Sequence, residues 1–82
     1  MATAKYFCTF PQELIHEPII SHTLGDKFGV VPNIRAASIR ATEAKVVVEI
    51  VGEQAEIERA VAYLVERGVS VAAIEDDHEP QF

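Results

Sequence analysis

The sequence predicts an α+β domain, a four-stranded antiparallel sheet with two helices on one of its faces. Three observations predict it. Apolar and polar residues alternate over residues 5–10 and again over 45–51, the period of a half-buried strand. Apolar residues recur at helical spacing twice, as Ile20, Leu24 and Phe28 and then as Ile57, Ala60, Val61 and Leu64. The signals run in the order β, α, β, β, α, β, and the middle strands are joined by a link near Thr42-Glu43-Ala44, short enough only for a hairpin.

Each element has its own signals. In the first strand Tyr6, Cys8 and Phe10 share one side, Lys5 and Thr9 lie on the other, and Pro11 closes the run. The first helix is expected to open at Pro18, whose missing N–H would be unpaired there anyway, and to end at Gly29. Gly25 falls inside it at a cost of about 1 kcal/mol relative to Ala, for which the close approach of a neighbouring backbone is one explanation. The second strand is expected over residues 34–42, but its phase is broken. Ile34 and Ile39 are five apart and would face opposite ways in an unbroken strand, so a bulge is expected near Ala36-Ala37. The third strand, residues 45–51, turns Val46, Val48 and Ile50 to one face. The second helix opens after Gly52 with Glu53 and Glu56 in its first turn and Arg67 in its last, an order that complements the helix dipole, and Gly68 stops it. A fourth strand follows over residues 69–74. This βαββαβ order is the ferredoxin-like arrangement.

With 82 residues the chain has room for one domain, expected over residues 1–75, and the rest reads as an acidic flexible tail, 76–82. A domain of this length buries only about 60% of the surface its unfolded chain exposes, so a second subunit would help it materially. The formal charge is −6, from 13 acidic and 7 basic residues, which argues against nucleic-acid coating and an anionic-membrane role. No apolar run approaches the roughly 18 residues of a membrane span, no secretory signal is visible, and the single cysteine excludes an internal disulfide. The expected setting is cytoplasmic. The outer sheet face would carry Phe7, Val47, Val51, Ala72 and Ile74 beside Lys5, Thr9, Lys45, Glu49 and Ser70, more apolar than a solvated face requires. It is read as a self-association or partner surface.

Reactive constellations are lacking. His16 and His22 are six apart, not on one helical face as an i, i+4 metal pair would be, and His78 lies in the tail. Cys8 points inward and reads as a small core residue. No glycine-rich cradle joins the first strand to the first helix, the third strand has no stacking aromatics for RNA, and Arg35 and Arg40 lie away from any phosphate loop. Carboxylates pair only on the second helix and in the tail. No nucleophile with a base and an orienting group can be assembled, so no enzyme, no cofactor and no metal are expected.

Three stretches in register, Glu17-Pro18-Ile19-Ile20-Ser21, Phe28-Gly29-Val30-Val31-Pro32-Asn33-Ile34 and Ala60-Val61-Ala62-Tyr63-Leu64-Val65-Glu66-Arg67-Gly68-Val69, resemble the NIL domain. The resemblance covers about residues 5–75. That family is best known as the C-terminal regulatory domain of methionine-importer ATPases. It implies an ACT-like, ferredoxin-like dimer that binds methionine at the subunit interface. Asn33 and Ile34 match the Asn-Ile-Leu that names the family, and Pro18 and Ser21 match the start of its first helix. Arg35 stands where the family has Leu, and Ala36-Ala37-Ser38 where importers tend to have a polar residue, Gly and Asn. With neither an ATPase nor cluster-binding cysteines, the chain is expected to act as a stand-alone module.

The residues also suggest a site of their own. The N–H groups at the Pro18 helix start suit a carboxylate, Asn33 can donate and accept, and Ile34 and Ile39 could form an apolar wall. Alternatively, Asn33 only shapes the turn after Pro32. The expected ligand set is Pro18, Ser21, Asn33, Ile34, Arg35 and Ile39, and the expected function is a homodimeric sensor of an amino-acid-like effector. The alternative is an adaptor without a pocket, docking a protein partner through the strand edge at residues 34–42 and the acidic tail.

Overall fold

The structure, a computed structural model, describes residues 1–17 and 19–75. Pro18 and the expected tail, residues 76–82, lie outside the described residues. Strands β1 (Ala2–Pro11), β2 (Val31–Ile39), β3 (Glu43–Gly52) and β4 (Ser70–Ile74) form one antiparallel sheet in the order β2-β3-β1-β4. Helices α1 (Gly25–Phe28) and α2 (Gln54–Glu66) complete the ferredoxin-like order, and a 3₁₀ turn at Gln12–Leu14 follows β1.

Alternation decides which side chains reach the core. Cys8 and Phe10 of β1 and Ala44, Val46, Val48 and Ile50 of β3 enter the buried cluster with Ile57, Ala60 and Leu64 of α2. The helix ends in a complete Schellman motif. Gly68 takes φ 101°, its N–H bonds the Val65 carbonyl at 3.0 Å, and the Val69 N–H bonds the Leu64 carbonyl at 3.0 Å. Arg67 sits at the C-cap rather than in the last turn, and Glu53 at the N-cap rather than inside the first.

The first helix differs from expectation in winding but not in face. Ile20, Leu24 and Phe28 are all buried, yet Ile19–Leu24 is a π-helical turn that passes directly into the four residues of α1. Gly25 is not explained by a close neighbour. A Cβ there would meet the Val30 carbonyl oxygen at 3.6 Å and Pro32 Cδ at 3.8 Å, ordinary contacts. The glycine that needs its size is Gly52, where a Cβ would lie 2.9 Å from Val30 Cγ1.

Strand β2 is longer at its start and shorter at its end than the sequence suggests. It begins at Val31 and includes Pro32, tolerated because β2 is an edge strand and a missing donor costs least there. It ends at Ile39, and the Arg40 N–H bonds the Glu43 carbonyl at 2.9 Å to close the hairpin. The expected bulge is present between Ile34 and Ala36, one residue before its expected place. Register pairs Ile34 with Val48 and Ile39 with Ala44, so both isoleucines lie on the inner face.

The outer face also departs from expectation. Val47 belongs to it by register, between Phe7 of β1 and Ala36 of β2, but is 0% exposed. Phe7, Val51 and Ile74 are half-buried and Ala72 is exposed, so the face offers less apolar surface than the alternation implies.

Candidate functional site

Helix α2 packs on the inner face of the sheet against β3 and β4, while the short, partly π-wound first helix leaves the far end of β2 open. The result is a groove of about 240 Å³ between the inner side of β2 and the segment that follows β1. Its floor is Phe10, Leu14, Ile19, Ile20, Ala44 and Val46, all buried. Its wall is Ile34 and Ile39, which remain 47% and 69% exposed although they face inward. An isoleucine on the covered side of a sheet that keeps half its surface in water marks an unfilled place. The volume falls somewhat below the roughly 300–1,000 Å³ of drug-sized sites, which suits a small ligand or one completed by a second subunit.

His16 and Glu17 stand at the rim. Glu17 is held from the other helix. Arg67 donates from one guanidinium nitrogen to both carboxylate oxygens, at 2.8 and 2.7 Å, and from its other terminal nitrogen to the Tyr63 hydroxyl at 3.1 Å. The hydrogen bond to Glu17 is the main reason the guanidinium pKa is driven above its ordinary value. Lys27 Nζ lies 4.8 Å from the Tyr63 ring centre, and Phe28 packs on the same ring at 5.4 Å. This cluster ties the segment before the π-helical turn to the end of α2 and neutralises the rim carboxylate. The rim therefore need not repel an anionic ligand.

The structure divides the residues expected to form a site. Ile34 and Ile39 line the groove. Asn33 pairs with Glu49 in register and so lies on the outer face, because consecutive strand residues point opposite ways. Arg35 is the extra residue of the bulge, exposed, between an inner-facing Ile34 and an outer-facing Ala36. Ser21 falls within the Ile19–Leu24 turn, and Pro18 is outside the described residues. The floor residues and the Glu17–Arg67 pair were not legible as site residues. The floor reads as plain core, and 50 positions separate the ionic partners.

Burial pushes the Cys8 thiol up to about 12, so it is not a thiolate at neutral pH. Among the described residues no three His, Cys, Asp or Glu side chains gather as a metal site would require, and no helix is long and apolar enough to cross a membrane.

Comparison with known proteins agrees with the fold. No curated protein matches the chain. Among solved structures, the crystal structure of the C-terminal domain of an ABC transporter ATP-binding protein from Enterococcus faecalis has a similar fold, with a TM-score of 0.76 at 22% identity, over 90% of this chain and 86% of that one. The NIL domain family matches residues 8–73, which include β2, β3, α2 and the residues that line the groove. The chain belongs to the NIL domain family.

Proposed function

We propose that this NIL domain is a regulatory rather than catalytic module, which acts as a homodimer and binds a small amino-acid-like effector, methionine by family resemblance, beside the β2 edge. The observation that carries the reading is the groove itself, apolar on floor and wall, with Ile34 and Ile39 exposed next to a strand edge that no other strand of the sheet pairs. A flexible apolar side chain would fill the groove, and a second subunit across the edge would close it. The effector then favours one dimer geometry, and a coupling of about 1–3 kcal/mol is enough to signal.

Thermal melting with a panel of amino acids tests this. An effector at a hundred times its dissociation constant adds about 2.7 kcal/mol. The shift is expected with methionine or a relative and is lost in Ile39→Asp. Asn33→Ala changes only the outer face and should retain it. Loss in Asn33→Ala with retention in Ile39→Asp would move the site to the other side of the sheet. Sedimentation at micromolar concentration should give twice the 9.0 kDa monomer mass.

A second reading is favoured by the same edge. The outer side of β2 is unpaired within the sheet, and Val31, Ile34 and Ile39 are exposed along it. A partner strand could add there, with apolar side chains entering the groove and no small ligand involved. A panel without any melting shift, together with a peptide strand whose capture is lost in Ile39→Asp, would establish that reading instead.

A further inference from the structure

The groove beside β2 is apolar except at its rim. Among the described residues that line it, Glu17 is the one carboxylate, His16 is the other polar side chain, and none is a lysine or an arginine. Backbone donors near the rim are already used. The N–H of Ile15 bonds the Gln12 carbonyl at 3.3 Å, that of Glu17 the Leu14 carbonyl at 3.2 Å, and that of Ile19 the Glu17 carbonyl at 2.8 Å. An anionic group therefore meets no lysine or arginine in this lining, whereas a cationic group meets an acceptor of opposite charge.

Glu17 has capacity left for such a group. An ionised carboxylate offers about four lone-pair sites. Arg67 takes one on each oxygen, both from the same guanidinium nitrogen, and the Glu17 side chain remains 43% exposed. The acceptor is also held in place. The guanidinium that grips it donates to the Tyr63 hydroxyl at 3.1 Å and lies 5.9 Å from the centre of that ring, on which Phe28 packs. A carboxylate already fixed in one rotamer loses less entropy on binding than a free surface glutamate does. Pairing with Arg67 leaves the rim close to neutral, so a carboxylate on the same ligand is not expelled.

We propose that Glu17 is the group that recognises the effector's ammonium, so that the groove selects an apolar side chain carrying a primary amine and does not read the carboxylate beside it. The amine sits at the Glu17 rim, and the apolar chain lies over Ile19 and Ile20 towards Ile34 and Ile39. This inference rests on the effector reading above and adds to it which end of the ligand is recognised, and by which residue.

Three probes with one side chain test it by thermal melting of the full chain at neutral pH. They are methionine, its decarboxylated counterpart methylthiopropylamine and its des-amino counterpart methylthiobutanoate. The first two are expected to bind alike and the third about fivefold more weakly, the most that a partly exposed ion pair supplies. Glu17→Gln keeps the size and loses the charge, so it should abolish this preference and leave binding of the butanoate unchanged. His16→Gln should leave the preference intact. Where another apolar amino acid gives the larger shift, its own amine and des-amino acid replace the methionine pair. A purely structural role for Glu17 would weaken all three probes together and preserve their ratio in Glu17→Gln, which would overturn the proposal. Equal binding of methionine and the butanoate by the unmutated chain would overturn it too, with the groove reading left standing, and this comparison needs no variant to fold. If no amino acid and neither counterpart shifts the melting temperature, the effector reading fails and this inference fails with it.

Discussion

The two halves of the sheet are built to different standards. Under α2 the structure is regular: a stripe of Ile57, Ala60 and Leu64 is fully buried, a Schellman motif stops the helix at Gly68, and the central strands β1 and β3 pair over ten residues. Around β2 the regularity fails. A bulge interrupts the register, a proline sits in the strand, the covering helix is π-wound and short, and two inward isoleucines remain wet. The contrast teaches where stability and function reside. The closed half holds the fold together, and the open half is the part a ligand or subunit can complete. π-helical turns and bulges are over-represented at such places, since both displace a side chain from its regular position.

Four experiments would break or sharpen the contrast. The largest effect is expected in the closed half, where Leu64→Ala should cost about 2–5 kcal/mol in denaturant unfolding. Ile39→Ala in the open half should cost under about 0.5 kcal/mol, and parity between the two would erase the distinction. Next, Gly52→Ala should destabilise by about 1–3 kcal/mol, because the new methyl collides with Val30, whereas Gly25→Ala should stabilise by about 0.4–1 kcal/mol. A double-mutant cycle on Glu17 and Arg67 should return at most about 1 kcal/mol, shrinking with salt, since both groups are partly exposed. Finally, Cys8 in the native chain should react with a disulfide reagent only on opening, on the order of a thousandfold slower than a free thiol. The high thiol pKa has a sign for stability as well. The folded value lies above the unfolded one, so the contribution is complete below about pH 8.5 and is lost as pH rises towards about 12.

Much of this fold was legible in the sequence because its signals are local. The alternation of Tyr6, Cys8 and Phe10 and of Val46, Val48 and Ile50, and the stripe of α2, need no knowledge of the rest of the chain. The broken phase between Ile34 and Ile39 announced a bulge, and the bulge is there. The apolar wall was legible for the same reason, since only a bulge turns both isoleucines inward. Strand β2 was less legible at its ends. Pro32 reads as a breaker unless the strand is known to be an edge, and edge position is a property of the sheet.

By itself the sequence determined the order of elements, the inward faces and the helix stop at Gly68, because periodicity and glycine conformation are fixed within a few positions of chain. Only the tertiary structure decided that Asn33 turns away from Ile34 and Ile39, that Glu17 finds Arg67 across 50 positions, and that the first helix stops short of covering β2. Those outcomes depend on which strand lies at the edge and how far one helix reaches over it. They are distances between parts remote in sequence, and no local pattern encodes a distance.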